Sequence, residues 1–199
     1  MLFRSPSHFA VSDVGALQDF LRKNVFATLC GAIGGAIQIA YAPVVFDAHS
    51  GPLGGVRFHL ARANPLADIQ DGALVKLSVM GAHAYISPDW YETPEMVPTW
   101  NYLAVEGSGY VRHLSDAALR KLLNDLTVQE ERLLTPKPPW TLARLSKARL
   151  NQLLPSIAGF ELVFDSLEGK AKLSQNRAQA RSEEHTSELQ SLRHLVCRL

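Results

Sequence analysis

From Phe26 to Arg112 the chain is a succession of short apolar runs broken by turn-forming residues, and this constrains its fold more than any other feature. Phe26 to Ile33 is apolar, Gly34-Gly35 is a turn signal, and Ala36 to Phe46 is a second run broken by Pro43. After a loop from Asp47 to Gly54, Val56-Arg57-Phe58-His59-Leu60 alternates apolar and polar residues as a half-buried strand does, which puts Arg57 and His59 on one face. Leu74 to Met80 reads as a strand and Ala84 to Ile86 as its continuation or partner. Thr99 to Arg112 is a long strand in which Gly107 and Gly109 can bulge or admit a close neighbour. Phe160 to Phe164 is the last strand. Strands this close in sequence pair antiparallel, and no strand–helix–strand alternation is present, so the pattern predicts a mainly β (α+β) chain: a barrel or sandwich with helices packed outside.

The predicted helices are few. Ser12 or Asp13 caps one that carries Val14, Leu17, Phe20 and Leu21 at helical spacing and ends near Asn24. Asn64-Pro65 starts a short one running to Ile69. Ser115-Asp116 opens the clearest, striped by Leu119, Leu122, Leu123 and Leu126, and a proline-rich linker (135–140) leads to another over Leu142 to Leu154.

The chain has 199 residues with Lys+Arg 20 against Asp+Glu 19 and 47% hydrophobic residues. That balance fits one ordinary globular domain, argues against disorder, and shows no bulk excess of cations for nucleic acid or membrane surfaces. No apolar run approaches the roughly 20 residues of a membrane helix, and the start has no signal-peptide pattern, so the expected location is the cytoplasm. Cys30 and Cys197 are far apart, which offers neither a disulfide framework nor a zinc site; Cys30, within FATLCGAI, is expected as a small buried hydrophobe.

Composition shifts abruptly near residue 180. Arg181 to Leu199, RSEEHTSELQSLRHLVCRL, resembles the in-frame translation of a short-read sequencing adapter over its whole length. The alternative is an amphipathic helix with Leu189, Leu192 and Leu195 on one face. On the first reading residues 1–180 form the domain and 181–199 belong to none; the segment carries three Arg and three Glu, so the charge balance stands without it.

No GxGxxG after a strand, GxxxxGK[ST], HExxH, EF-hand loop or GxSxG is present. His8, His49, His59, His83 and His113 are scattered without metal-ligand spacing, and the strong helix carries leucines and acids rather than a basic reading face. Polar and aromatic residues instead concentrate in blocks. Arg57 to Pro65 supplies two guanidinium groups and an imidazole, suited to a phosphate at a strand end. Gly81 to Tyr91 and Val97 to Tyr102 gather aromatics with short hydrogen-bonding side chains, and Leu167 to Arg177 adds cations and amides. From the residues alone two readings stand: a ligand site, or core aromatics with solvated arginines and a polar tail.

These blocks carry a resemblance. HFAV (8–11), FATL (26–29), HLARANP (59–65), GAHAYISPDWY (81–91), VPTWNY (97–102), GFEL (159–162) and LEGKAKLSQNR (167–177) occur in the order found in the PaiB-type FMN-binding negative transcriptional regulators. The chain resembles that family over residues 1–180. It departs at Ala171, where relatives often carry Trp, and at Tyr41, where many carry His. The resemblance implies an FMN-binding split β-barrel like that of pyridoxamine-phosphate oxidases, a homodimer with FMN at the subunit interface, and negative regulation of transcription.

The chemistry of FMN then selects residues. Its phosphate needs charge-assisted donors, for which Arg57, Arg62, Lys170, Lys172 and Arg177 are available with His59 nearby. Its ring needs aromatic walls, Tyr85, Trp100 and Tyr102, and edge partners, Ser87, Thr99, Asn101 and Gln175. His83, Ser87, Thr99, Asn101 and Lys172 rank first, although His83 is equally read as a structural histidine. The competing function is a flavin-dependent oxidoreductase or flavin-reductase-like enzyme without direct DNA binding. Specific DNA binding typically neutralises about 6 to 10 phosphates, and the balanced charge leaves it to a dimer to gather Lys137, Arg144, Lys147 and Arg149 into a basic patch.

Overall fold

The computed structural model of the protein describes residues 7–90 and 97–175. Eight strands form one antiparallel sheet: β1 (Ala10–Val11), β2 (Phe26–Ile33), β3 (Ala36–Pro43), β4 (Val45–Asp47), β5 (Gly55–Ala61), β6 (Leu74–Ile86), β7 (Thr99–His113) and β8 (Ile157–Lys172). They are ordered β3-β2-β6-β7-β8-β5-β4, with β1 on β8. Helices α1 (Val14–Lys23) and α2 (Asp116–Glu131) lie against this sheet, and α3 (Lys147–Leu153) packs its Leu150 on the leucines of α2.

Local chemistry accounts for the boundaries. The carboxylate of Asp13 accepts from the Ala16 N–H at 2.6 Å and starts α1. Gly34 and Gly35, at φ 59° and 83°, make the two-residue β2–β3 turn that needs positive φ at both positions. Pro43 ends β3, having no N–H to give the ladder. Ser115 Oγ caps α2 at the Ala118 N–H.

Two expectations are corrected. The last strand is not Phe160 to Phe164 but sixteen residues, Ile157–Lys172, so LEGKAK is sheet rather than polar tail. Its second half has too few apolar residues to read as a strand, because cross-strand pairing to β7 and β1 supplies the order instead. The helix expected over Leu142 to Leu154 is a turn of 3₁₀ helix (Leu142–Arg144), α3, and a second such turn (Leu154–Ser156), with Pro155 ending the α-helical stretch. The segment 181–199 lies outside the described residues.

The inward faces make one core from Leu29, Val56, Phe58, Val75, Leu77, Val79, Val105, Val111, Phe160, Leu162 and Phe164, closed by Leu17 and Leu21 of α1. Phe58 and Phe160 stack at 5.3 Å. A second, smaller core joins Leu119, Leu122 and Leu126 of α2 to Leu154, with Leu114, Leu150 and Ile157 at its edge. Cys30 is not in either core: it is half-exposed, between Ile39 and Lys76 on the outward face.

Strands β7 and β8 shift register at Ser108/Gly109. A Cβ at Gly109 would stand 1.8 Å from the Val163 carbonyl oxygen, and one at Gly107 would meet the Phe164 ring at 2.4 Å. Backbone cannot give way as a side-chain tip can, so the bulge requires glycine here. Gly109→Ala is expected to cost on the order of 3 kcal/mol or more. Gly35→Ala, strained by backbone conformation with nothing within 4 Å of the new methyl, should cost about 1–2 kcal/mol. Urea unfolding midpoints of the two variants check this ranking.

Candidate flavin site

Cross-strand registry collects the site. His83 is opposite Tyr102, Tyr85 opposite Trp100, and Tyr102 opposite Lys172. Paired residues share a face, so β6, β7 and β8 present His83, Tyr85, Trp100, Tyr102, Lys170 and Lys172 together on the outward side of the sheet. The register shift between Met80 and His83 aims this end of β6. Tyr85 meets Trp100 edge-to-face at 6.1 Å, and His83 lies 6.3 Å from the Trp100 ring. Both Tyr85 and Trp100 are about half exposed. Lys170 Nζ stands over the Tyr102 ring at 5.1 Å, a cation–π contact.

Lys172 Nζ donates to Thr99 Oγ1 at 2.5 Å, which ties the end of β8 to the start of β7. Beyond it the chain turns back through Ser174, at φ 61°, whose hydroxyl donates to Asn101 Oδ1 at 3.0 Å. Gln175 holds the same turn: its Oε1 accepts from the Leu173 N–H, and its Nε2 donates to the carbonyls of Ala171 and His8. Ser87 Oγ accepts from the Asp89 N–H in the turn after β6.

Not every expected residue joins this group. Asn101 is fully buried on the opposite face of β7 from Trp100 and Tyr102, where it latches Ser174, and its Nδ2 has no partner among the described residues. Its position on the strand, odd among outward-facing even numbers, was the sequence signal against an edge partner. Arg177 lies outside the described residues. Arg57, His59 and Arg62 belong to β5 and the residues just after it, at the end of β8 remote from Lys172. Arg57 is not a phosphate donor in waiting. Its Nη2 is paired with Asp125 Oδ2 of α2 at 3.0 Å, and Lys121 Nζ reaches the same oxygen at 2.7 Å. Burial pulls the Asp125 carboxyl upward, but hydrogen bonds and charge from Lys121 and Arg57 outweigh it and hold the group below its ordinary pKa. Sequence reasoning missed this pairing because the acid sits 68 residues away on another element.

A fourth group, unanticipated, adjoins the aromatic cluster. The same outward face carries Phe26, Ile37, Ile39, Tyr41, Leu74, Met80 and Tyr110, among which Phe26 is 63%, Ile37 72% and Tyr41 66% exposed. The alternation of β3, Ile37-Gln-Ile-Ala-Tyr41, was the readable signal: its larger apolar residues lie on the face opposite buried Ala40 and Ala42.

Comparisons with known proteins bear on the family and the fold. Residues 3–166 match the family model described as "Putative FMN-binding domain". The chain belongs to that family. It is 31% identical to "Protease synthase and sporulation protein PAI 2" of Bacillus subtilis, over 86% of this chain and 82% of that protein. An uncharacterized protein of Emericella nidulans is 29% identical over 85% of this chain and 83% of its own length. Among solved structures, the fold is similar to an FAD and heme binding protein from Mycobacterium smegmatis (TM-score 0.57, 17% identity, 82% of this chain and 73% of that one). It is similar also to the flavocytochrome Anf3 from Azotobacter vinelandii (TM-score 0.58, 15% identity, 84% and 72%). The fold is a flavin-protein split barrel and the cofactor indicated by the family is FMN. The residues fit that group: two lysines suit a phosphate, and exposed aromatic faces suit an isoalloxazine wall.

Among the described residues no three His, Cys, Asp or Glu gather as metal ligands, and no helix is long and apolar enough to cross a membrane.

His59 yields a pH prediction. Burial lowers its pKa from 6.5, and its Nδ1 has no hydrogen-bond partner among the described residues. Between the lowered value and 6.5 the unfolded chain binds the proton and the folded one does not, so stability falls as pH drops through that window. His59→Gln removes this contribution. Urea midpoints at pH 7.5 and pH 5 should therefore differ less in the variant than in the parent; equal pH dependence refutes the assignment.

Proposed function

We propose that the protein binds FMN on the outward face of β6, β7 and β8, that a second copy covers the ring by docking on the adjoining apolar face, and that this flavin-bound homodimer acts as a negative regulator of transcription. The observation that carries the reading is the continuity of the aromatic and lysine cluster with the exposed apolar face of β2, β3 and β6. Contiguous exposed apolar surface on this scale marks an interaction site.

The ring is walled by Tyr85, Trp100 and Tyr102, and the phosphate is held by Lys172 with Lys170. Thr99 keeps Lys172 at the strand end. When bound, the flavin supplies a group that accepts and returns electrons, and its redox state is a signal the dimer can sense. Negative regulation rests on the PaiB resemblance, and the 31% identity to "Protease synthase and sporulation protein PAI 2" supports that kinship. Lys137, Arg144, Lys147 and Arg149 are exposed in the linker and around α3; Lys137 is paired with Glu131, so two copies would offer two basic patches, built mainly from Arg144, Lys147 and Arg149, outside the flavin face. A flavin-dependent oxidoreductase would instead show bleaching of the bound flavin by NAD(P)H and no salt-dependent retention on DNA.

FMN fluorescence should quench saturably on titration with the protein, and Lys172→Ala should weaken binding by about tenfold or more, the worth of one charge-assisted hydrogen bond. No quenching by a folded dimer rejects the cofactor site. In sedimentation velocity, Ile39→Glu should shift the protein to monomer and abolish flavin binding with it. A monomeric variant that still binds FMN with parental affinity would show that the partner copy contributes nothing to the site.

A further inference from the structure

A cavity of about 470 Å³ opens where the barrel meets the helical layer, at the start of β8 and so at the opposite end of that strand from Lys172. Its walls come from four places: Arg62 just after β5, His113 and Leu114 at the end of β7, Asp116 to Arg120 on α2, and Asn151 to Gly159 across α3 into β8. The volume is within the range of small-molecule sites. Nothing in the flavin reading uses it.

The polar lining is mostly cationic and is partly held in place. Arg120 Nη2 donates to Asn151 Oδ1 at 2.8 Å, which fixes the guanidinium between α2 and α3 and leaves its other N–H groups as donors. Arg62 is exposed, and its side chain has no partner among the described residues. His113 uses Nδ1 and its backbone N–H on Asp71, at 2.7 and 2.6 Å, so the ring is oriented with Nε2 as its remaining polar atom. Against these stands one acid in the lining, Asp116. The rest is apolar: Leu119 and Leu154, both buried, with Pro155 and Ile157.

We propose that this cavity binds an organic carboxylate with an apolar body. Arg62 and Arg120 would take the carboxylate, since the guanidinium fork matches its two oxygens, and the leucines, Pro155 and Ile157 would take the apolar part. Two arginines against one acid favour a singly charged head over a phosphate dianion. The wall is shared by α2, α3 and β8, so an occupant would bridge the helical layer to the sheet. Arg62, first assigned by its motif to the flavin phosphate, is thereby assigned to a second ligand.

Calorimetric titration of the full-length protein with sodium octanoate tests this, with inorganic phosphate and FMN as comparison ligands. Octanoate should bind saturably, more tightly than phosphate, and Arg62→Gln and Arg120→Gln should each weaken it about tenfold or more. Lys172→Ala should leave it unchanged, and saturating FMN should not displace it. The proposal is overturned by absence of saturable binding, by parental affinity in both arginine variants, or by competition from FMN, which would return Arg62 to the flavin. Both substitutions lie at solvent-facing guanidiniums, and unchanged unfolding midpoints would confirm that lost binding is local.

Discussion

Strand β8 pairs with β1, β5 and β7 along its sixteen residues, and no other described strand pairs with three neighbours. Its partners change along its length. The first half lies between β5 and β7, and the second half between β7 and β1. That handover requires β7 and β8 to slip past one another once, which they do at Ser108/Gly109, where the Val163 carbonyl and the Phe164 ring occupy the space a side chain would need. The bulge re-aims everything that follows. Ahead of it the outward residues of β8 face the helical layer; beyond it they bring Glu168, Lys170 and Lys172 onto the face shared with β6 and β7.

The molecule therefore has two chemically different ends joined by one strand. At the far end Lys172, Ser174 and Gln175 are tied to Thr99, Asn101 and the His8 carbonyl, so that the closing motif is fixed by hydrogen bonds rather than by apolar packing. At the near end α2 is held down by leucines and by the Arg57–Asp125–Lys121 cluster. Arg57 is largely buried with its Nε unpaired, and removing Asp125 would leave a cation stranded beneath the helix. Positive charge at this end thus serves docking of the helix as well as any ligand.

Much of this was legible in the sequence. The β2–β3 hairpin was marked by Gly34-Gly35, the cap of α1 by the pair Ser12 and Asp13, of which Asp13 caps, and the bulge by Gly107 and Gly109, because each depends on backbone geometry that few residues permit. The aromatic and lysine cluster was legible as motifs, and strand alternation alone put Trp100 with Tyr102. What escaped was set by distant partners. Arg57 looked like an anion site until Asp125 met it, and Asn101 looked like an edge donor until Ser174 turned back onto it. The length of β8 was hidden for the same reason: its polar half is ordered by its neighbours' ladders, not by its own apolarity.

The outward face is the ground for proposing a second copy. Barrel folding consumes the inward residues of the strands, and among the described residues α2 covers the outer side over β5, β4 and the start of β8. Over β3, β2 and β6 no described element covers Ile37, Ile39, Tyr41 and Phe26, and all four are exposed. Charge does not fill the gap, since the ion pair found there, Lys76 with Glu106 at 2.5 Å, neutralises itself. A surface of this kind gains by burying apolar area at roughly 25 cal/mol per Å², and a standard interface takes about 800 Å² from each partner. Docking there would also cover Tyr85 and Trp100, each about half exposed. Burial of the apolar face and completion of a flavin pocket are then one event, so cofactor occupancy and association are expected to be thermodynamically linked, each strengthening the other.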